Sequence, residues 1–326
     1  MRLRHLGTSG LPVSEIGLGL AAIGRPGYIT LGRSHDLGPD RTVDTLRGRA
    51  HELLDAAYSL GIRYVDAARS YGLAEEFLAS WLDGRSFPAG RVTVGSKWGY
   101  RYTAGWRVGA EVNEIKDHSL ANLGRQLAAT RALLGDNLSL YQIHSATLES
   151  GVLEDPEVLR ELRRLGQDGL AIGLTVSGPH QADVIRRALE IRVDGTSPFA
   201  VVQATWNLLE SSVGVALAEA KAAGWGVIVK EALANGRLAA AEGSGTSPLE
   251  SLATRLGSTV DAVAIAAALA QPWSDVVLSG AVTAGQLASN AAAAEVALSQ
   301  DDLVGLAGLV EPPEQYWATR ASLPWT

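Results

Sequence analysis

The chain has 326 residues, 47% of them apolar, no cysteine, and a formal net charge of −7 with a pI of 5.4. That supports a large buried core, in one large domain or two ordinary ones. It excludes disulfides, thiolate nucleophiles and Cys-ligated zinc or iron–sulfur sites. With no basic block, nucleic acid and anionic membrane surfaces are not expected as partners. The longest apolar run, Ala262 to Ala270, is too short for a membrane span. Met1 to His5 lacks the apolar core of a signal peptide, so a cytoplasmic protein is expected.

In chain order, Leu3 to His5, the turn Gly7-Thr8-Ser9-Gly10 and Val13-Ser14 predict a short β-hairpin. Ile16 to Leu20 reads as a first buried strand. Residues 22–41, rich in Gly and Pro, predict a long loop of the kind that often carries function. Thr42 to Leu60 has a helical pattern. Ile62 to Val65 ends a second strand, with Asp66 where it stops and Tyr71 in the turn that follows. The pattern then predicts helix 73–83, strand 91–96, helix 113–134, strand 138–143, helix 155–166 and strand 170–175. Helix 180–191, strand 199–203, helix 212–223 and strand 226–230 follow, then helices 248–256 and 260–271 and a last strand at 275–279. Helices 283–291 and 301–311 close the regular part, and a tail from Pro312 carries Trp317 and Trp325. The run Gly243-Ser244-Gly245-Thr246-Ser247 reads as a loop rather than a linker. About eight uninterrupted strand–helix alternations predict a parallel sheet. The number and the length fit one closed (β/α)8 barrel over residues 1–326, with an N-terminal hairpin and extra C-terminal helices.

In such a barrel the carboxyl ends of the strands carry the chemistry. Here they present Gly19, Asp66 and Tyr71, Lys97, His144, Thr175, Gln203, Lys230, and Ser279 with Gly280. Singly, each has an ordinary structural explanation: an Asp after a strand caps a helix, a Lys reaches solvent, a lone His is half-buried. Together, Asp66, Tyr71, Lys97 and His144 form a plausible proton-transfer centre. A buried ammonium near the phenol would lower its pKa from ~10, and Asp66 would keep that ammonium charged. His144 would polarise or orient a substrate carbonyl. Such a kit protonates a carbonyl oxygen while hydride reaches its carbon, and hydride must come from a cofactor. The six His residues are scattered, with no metal-ligand spacing, so no metal is expected.

Six ordered motifs carry a resemblance over nearly the whole chain: LGTSGLPVSEIGLG, VDAARSYG, GSKWG, SLYQIH, VVQATWNLLE and LSGAVTAGQLASN. The sequence resembles the aldo-keto reductase superfamily. The resemblance implies Tyr71 as general acid for carbonyl reduction and base for alcohol oxidation, tuned by Lys97 and Asp66, with His144 orienting the carbonyl. It implies that Gln203 holds the nicotinamide carboxamide and that Trp206 stacks on the ring, where the family usually has Tyr. Ser279, Gly280, Gln286 and Asn290 would line the pyrophosphate and adenosine end, with Leu233 and Gly236 shaping the loop over the pyrophosphate. Gly19, Thr175, Asn207 and Lys230 complete the expected cofactor contacts.

The chain departs from the family pattern at several points. Thr175-Val176 replaces Ser-Asn after the fifth strand. Val cannot make the amide contact, and Ser177 comes one position late. Ala67, Ser145 and Ala232 also stand where other residues are usual. Segment 279–290 has no basic residue, and Gln286 stands where NADPH-preferring members place Arg. NAD(H) and NADP(H) therefore both remain open. Substrate-pocket candidates are Trp98, Tyr100, Tyr102 and Trp106, the long loop with Arg25, Tyr28, His35 and Asp36, and the C-terminal Tyr316 and Trp317. The expected substrate is a small carbonyl or alcohol: an aldehyde, a ketone or a sugar. Two alternatives stand beside this reading. One is a nicotinamide-binding regulatory subunit. The other is a Schiff-base aldolase using Lys97 or Lys230.

Overall fold

The computed structural model describes residues 1–88, 90–239 and 248–326. The Gly243–Ser247 run lies outside the described residues. Leu3–His5 (β1) pairs antiparallel with Pro12–Ser14 (β2), as the turn residues require. The hairpin plugs the floor of a barrel: Leu6 is fully buried with Val13, Tyr64, Leu140, Val201 and Ile228. At Gly7, which has φ +51°, a Cβ would sit on the backbone nitrogen of Gly226. Only glycine allows so close an approach.

Ile16–Gly19 (β3) leads into the long loop, which holds one short helix, Arg33–Leu37 (α1). In Val43–Ser59 (α2) the Thr42 side chain caps the first turn by accepting from Thr45 N. Its Leu46, Ala50, Leu53, Leu54 and Ala57 form one buried stripe. Tyr64–Asp66 (β4), Ala74–Arg85 (α3) and Thr93–Trp98 (β5) follow. The structure corrects the sequence reading at the next segment. Where a helix from residue 113 was expected, Tyr100–Tyr102 (β6) and Glu114–Lys116 (β7) pair into an antiparallel ribbon. The helix (α4) spans only Leu120–Leu134, because Ser119 caps it by accepting from Asn122 N. Charged residues that suit a helix were captured by a strand partner a dozen residues away.

The alternation then runs as expected through Leu138–Ala146 (β8), Pro156–Gln167 (α5), Ala171–Val176 (β9), Gln181–Glu190 (α6), Val201–Thr205 (β10), Gly214–Ala222 (α7) and Gly226–Lys230 (β11). Pro248–Leu256 (α8) and Val260–Leu269 (α9) precede Val276–Ser279 (β12), then Ala284–Ala292 (α10) and Gln300–Leu306 (α11). The tail is a further correction: Pro313–Ala321 is a helix (α12), started by a proline in its first turn.

The eight parallel strands close in the order β10-β11-β12-β3-β4-β5-β8-β9. The fold is therefore the (β/α)8 barrel, with helices around it and additional helices at the C-terminal end. No single helix among the described residues is long and apolar enough to cross a membrane.

The floor plug generates a prediction. Leu6→Ala removes side-chain volume from a site that backbone surrounds, so it should cost about 2–5 kcal/mol of folding free energy. Urea denaturation should show a lower midpoint at unchanged slope. An unchanged midpoint would mean that the hairpin does not seal the barrel.

Candidate active site

The carboxyl ends of the barrel strands open into one cavity of about 400 Å³. Asp66, at the end of β4, is buried at its base. Its Oδ1 accepts from Tyr64 Oη at 3.1 Å, Gln203 Nε2 at 3.1 Å and Gln142 Nε2 at 3.4 Å. Its Oδ2 is in contact with Lys97 Nζ, which also donates to Ala67 O at 2.9 Å. The Lys97 side chain is fully buried behind the cavity wall. Its ammonium lies over the Tyr71 ring, 4.7 Å from the centroid. Tyr71 itself lines the cavity, and its hydroxyl bonds to no other described residue.

His144 stands edge-on to Tyr71 with ring centroids 5.4 Å apart. Its Nδ1 is 3.2 Å from Ser70 Oγ, and its carbonyl is 2.9 Å from His118 Nε2. β8 runs to Ala146, so His144 lies within the strand rather than after it. A proton donor, a buried ion pair behind it and an imidazole beside it thus converge on one wall.

Comparisons with known proteins bear on the family and the fold. The aldo/keto reductase family model matches residues 16–311. The chain belongs to the aldo/keto reductase family. Among relatives, an uncharacterised oxidoreductase of Bacillus subtilis is 30% identical over 171 residues, covering 51% of this chain and 46% of that protein. L-galactose dehydrogenase of Arabidopsis thaliana is 28% identical over 244 residues, 73% of this chain and 67% of that one. The match thus spans about half of the Bacillus relative. The solved structure of an aldo-keto reductase from Bacillus halodurans in its holo form superposes with a TM-score of 0.71, at 24% identity, over 96% of this chain and 97% of that one.

Within this aldo/keto reductase barrel, most of the residues expected at the site line the cavity. These are Gly19, Thr175, Gln203, Lys230, Leu233, Gly236, Ser279, Gly280, Gln286 and Asn290, together with Tyr28 from the long loop. Leu31 N donates to Asn235 O at 3.0 Å, which ties the 22–41 loop to the segment after β11.

Several expected residues are not in the lining: Lys97 stands behind it, and Tyr100, Tyr102, His35, Tyr316, Trp317 and the four described next are also absent from it. Trp206 packs into the outer layer against Trp273, with centroids 5.8 Å apart. Side chains alternate across a strand, so Gln203 and Thr205 face the interior and Trp206 faces the helices. Asn207 is buried as a structural link, donating to Glu231 O at 3.0 Å and Tyr316 Oη at 2.9 Å. Trp98 follows the inward Lys97, so it too faces outward, against His118 at 5.7 Å. Trp106 donates to Arg41 O at 2.9 Å and packs on Phe77. Val176 is core, whereas Ser177 is on the cavity wall.

Several cavity residues had no signal in the sequence. Glu114 sat inside an expected helix. Arg320 and Trp325 sat in an expected tail. Arg320 holds Glu231 with two N–H groups, Nε at 2.7 Å. Glu231 takes φ +56° and Ser145 φ +48°, so two non-glycine residues at the site have left-handed backbone. Among the described residues no cluster of acids and histidines is placed to hold a metal.

The electrostatics correct one expectation. The Tyr71 pKa is not lowered but pushed well above 10, by burial first and by Asp66 next. The Lys97 charge is cancelled at contact by Asp66. Burial lowers Lys97 itself, while Asp66 pulls it part of the way back. Burial would raise Glu231, but Arg320 and Lys230 more than offset it and hold the carboxyl down at about 2. With Lys97 walled off, a Schiff base would have to form on Lys230, whose pKa burial lowers to about 8.

Burial also pushes His118 down to about 4 and His144 well below the usual imidazole range, the latter helped by Lys97 and Arg25. Both rings are neutral when folded and take a proton near 6.5 when unfolded. The unfolded chain therefore binds more protons below pH 6.5. Stability should be full above that value and fall as pH drops toward 4. Urea midpoints across this window should show the loss, with a shallower slope in His118→Gln. An identical slope in that variant would remove His118 from the account.

Proposed function

We propose that the protein is a nicotinamide-dependent oxidoreductase that interconverts a carbonyl (an aldehyde, a ketone or a sugar) and its alcohol. The reading is carried by the Tyr71 hydroxyl, which faces the cavity unbonded, with Lys97–Asp66 behind it and His144 beside it. When bound, the nicotinamide supplies the hydride. Tyr71 keeps its proton at neutral pH and gives it to the carbonyl oxygen as that oxygen gains charge. The Lys97–Asp66 pair behind the ring fixes its position while contributing little net charge to it. With Ser70 Oγ donating to His144 Nδ1, the neutral imidazole has its proton on Nε2, free to orient the same oxygen. With so high a phenol pKa, reduction is favoured near neutral pH and oxidation needs alkaline conditions.

The donor set suits a long polar cofactor. Thr175, Ser177 and Gln203 offer hydroxyl and amide groups at one end. Ser279 and Asn290, 2.7 Å apart, offer them at the other. Beside them, nothing lies within 4 Å of a Cβ built on Gly280, so its backbone is open to approach. At that far end Asp36 and Asp261 bring carboxylates to the lining, while Arg33, on the same helix as Asp36, spends its guanidinium on the carbonyls of Ala22, Arg25, Pro26 and Thr326. Gln286 Nε2 donates to Asp36 Oδ2 at 2.7 Å. A 2′-phosphate would meet those carboxylates, so NAD(H) is preferred over NADP(H).

Tyr71→Phe should lower turnover by roughly 100-fold or more while leaving cofactor binding, read by tryptophan fluorescence, near that of the wild type. Near-normal rates would remove Tyr71 from the role. The same titration should bind NADH more tightly than NADPH, and Asp36→Asn should narrow the gap. Equal affinities in the wild type would refute the preference.

A further inference from the structure

Among the described residues that line the cavity, Arg25 is the cation whose donors are largely unspent. Its side chain is 3% exposed. Nη1 is fixed by Ser70 O at 3.1 Å and Glu114 Oε2 at 3.0 Å. Nε is buried without a partner, and Nη2 donates to no described residue. A guanidinium has five N–H donors, and buried donors left unpaired cost stability. The group is held in place by three rings, with centroids at 4.9 Å (Tyr28), 5.3 Å (Tyr71) and 4.8 Å (Trp325). It is thus rigidly set beside Tyr71 and only partly used.

Its carboxylate partner neutralises it incompletely. Glu114 is 26% exposed, stands on the short β6–β7 ribbon and offers one contact. Lys230 adds a second cation whose Nζ bonds only hydroxyls, Thr205 Oγ1 at 2.7 Å and Ser177 Oγ at 3.0 Å. Arg320 differs, being occupied by Glu231. The Tyr71 end of the cavity therefore has cationic charge to spare, while the far end holds Asp36 and Asp261.

We propose that Arg25 is a specificity-determining residue that anchors a carboxylate on the substrate, so that the protein acts on aldehydes or ketones that are also acids; this rests on the carbonyl–alcohol reading above. Nη2 supplies the charge-assisted hydrogen bond, and Glu114 competes with the substrate for the same guanidinium.

The test compares 4-carboxybenzaldehyde with benzaldehyde. Calorimetric titration into the protein saturated with NAD⁺ reads binding without reduction. The wild type should bind the acid roughly 10- to 100-fold more tightly. Arg25→Gln should erase that difference, Arg25→Lys should restore part of it, and Glu114→Gln should enlarge it. Equal affinity for the two aldehydes, no binding of either, or a preference that survives Arg25→Gln overturns the proposal. If Arg25→Gln does not fold, an unchanged preference in Glu114→Gln overturns it as well. Turnover with NADH is measured separately: its absence from a protein that still binds the acid preferentially would defeat the carbonyl–alcohol reading and leave the anchor standing.

Discussion

The buried contact between Asp66 and Lys97 is the constraint on which the site depends. Neither charge can be left alone in a dry interior, because an uncompensated buried ion is strongly destabilising. The pair is therefore surrounded by donors. Tyr64, Gln142 and Gln203 all approach Asp66 Oδ1, and Ala67 O takes a further proton of Lys97. Those residues come from β4, β5, β8 and β10. One carboxylate thus joins half of the barrel strands at their chemically exposed ends, and the barrel closure in turn fixes the carboxylate.

Because the pair is neutral as a unit, it does not pull the neighbouring phenol toward phenolate. Burial first and the charge of Asp66 next hold the proton on Tyr71. The same dry surroundings keep His144 neutral. A protonated phenol and an uncharged imidazole at one wall make a donor pair rather than a base. What the pair offers a ligand is therefore hydrogen bonds, not charge. Charge enters from the rim, which holds Arg25 with Glu114, Lys230, Arg320 with Glu231, and Arg33, Asp36 and Asp261.

The rim is assembled from distant segments. Tyr28 and Thr326 exchange backbone hydrogen bonds at 3.1 and 3.0 Å, and Arg33 Nη1 donates to Thr326 O at 2.6 Å. The loop after the first barrel strand is thereby held against the last residues of the chain. The β6–β7 ribbon brings Glu114 to the same mouth. The cavity rim thus rests on loops, while Asp66, Lys97 and His144 rest on strands, the division expected of a barrel whose floor and wall are rigid.

Strand–helix alternation, the hairpin and the cluster of Asp66, Tyr71, Lys97 and His144 were legible in the sequence, because each follows from local periodicity or from position at a strand end. The ribbon at Glu114–Lys116 and the helix at Pro313–Ala321 were not. The first depends on a partner strand that local pattern does not reveal. The second lies beyond the last barrel unit, where the alternation no longer guides the reading. Trp206 and Trp98 show the same limit in finer detail: residue type suggested the cavity, but strand parity turned both rings toward the helices. By itself the sequence determined the barrel and brought Asp66, Tyr71, Lys97 and His144 to neighbouring strand ends, since both are written in spacing along the chain. Only the tertiary structure decided which side of each strand faces inward, which remote charges reach the rim, and that burial holds the proton on Tyr71, because those depend on closure of the sheet and on burial in three dimensions.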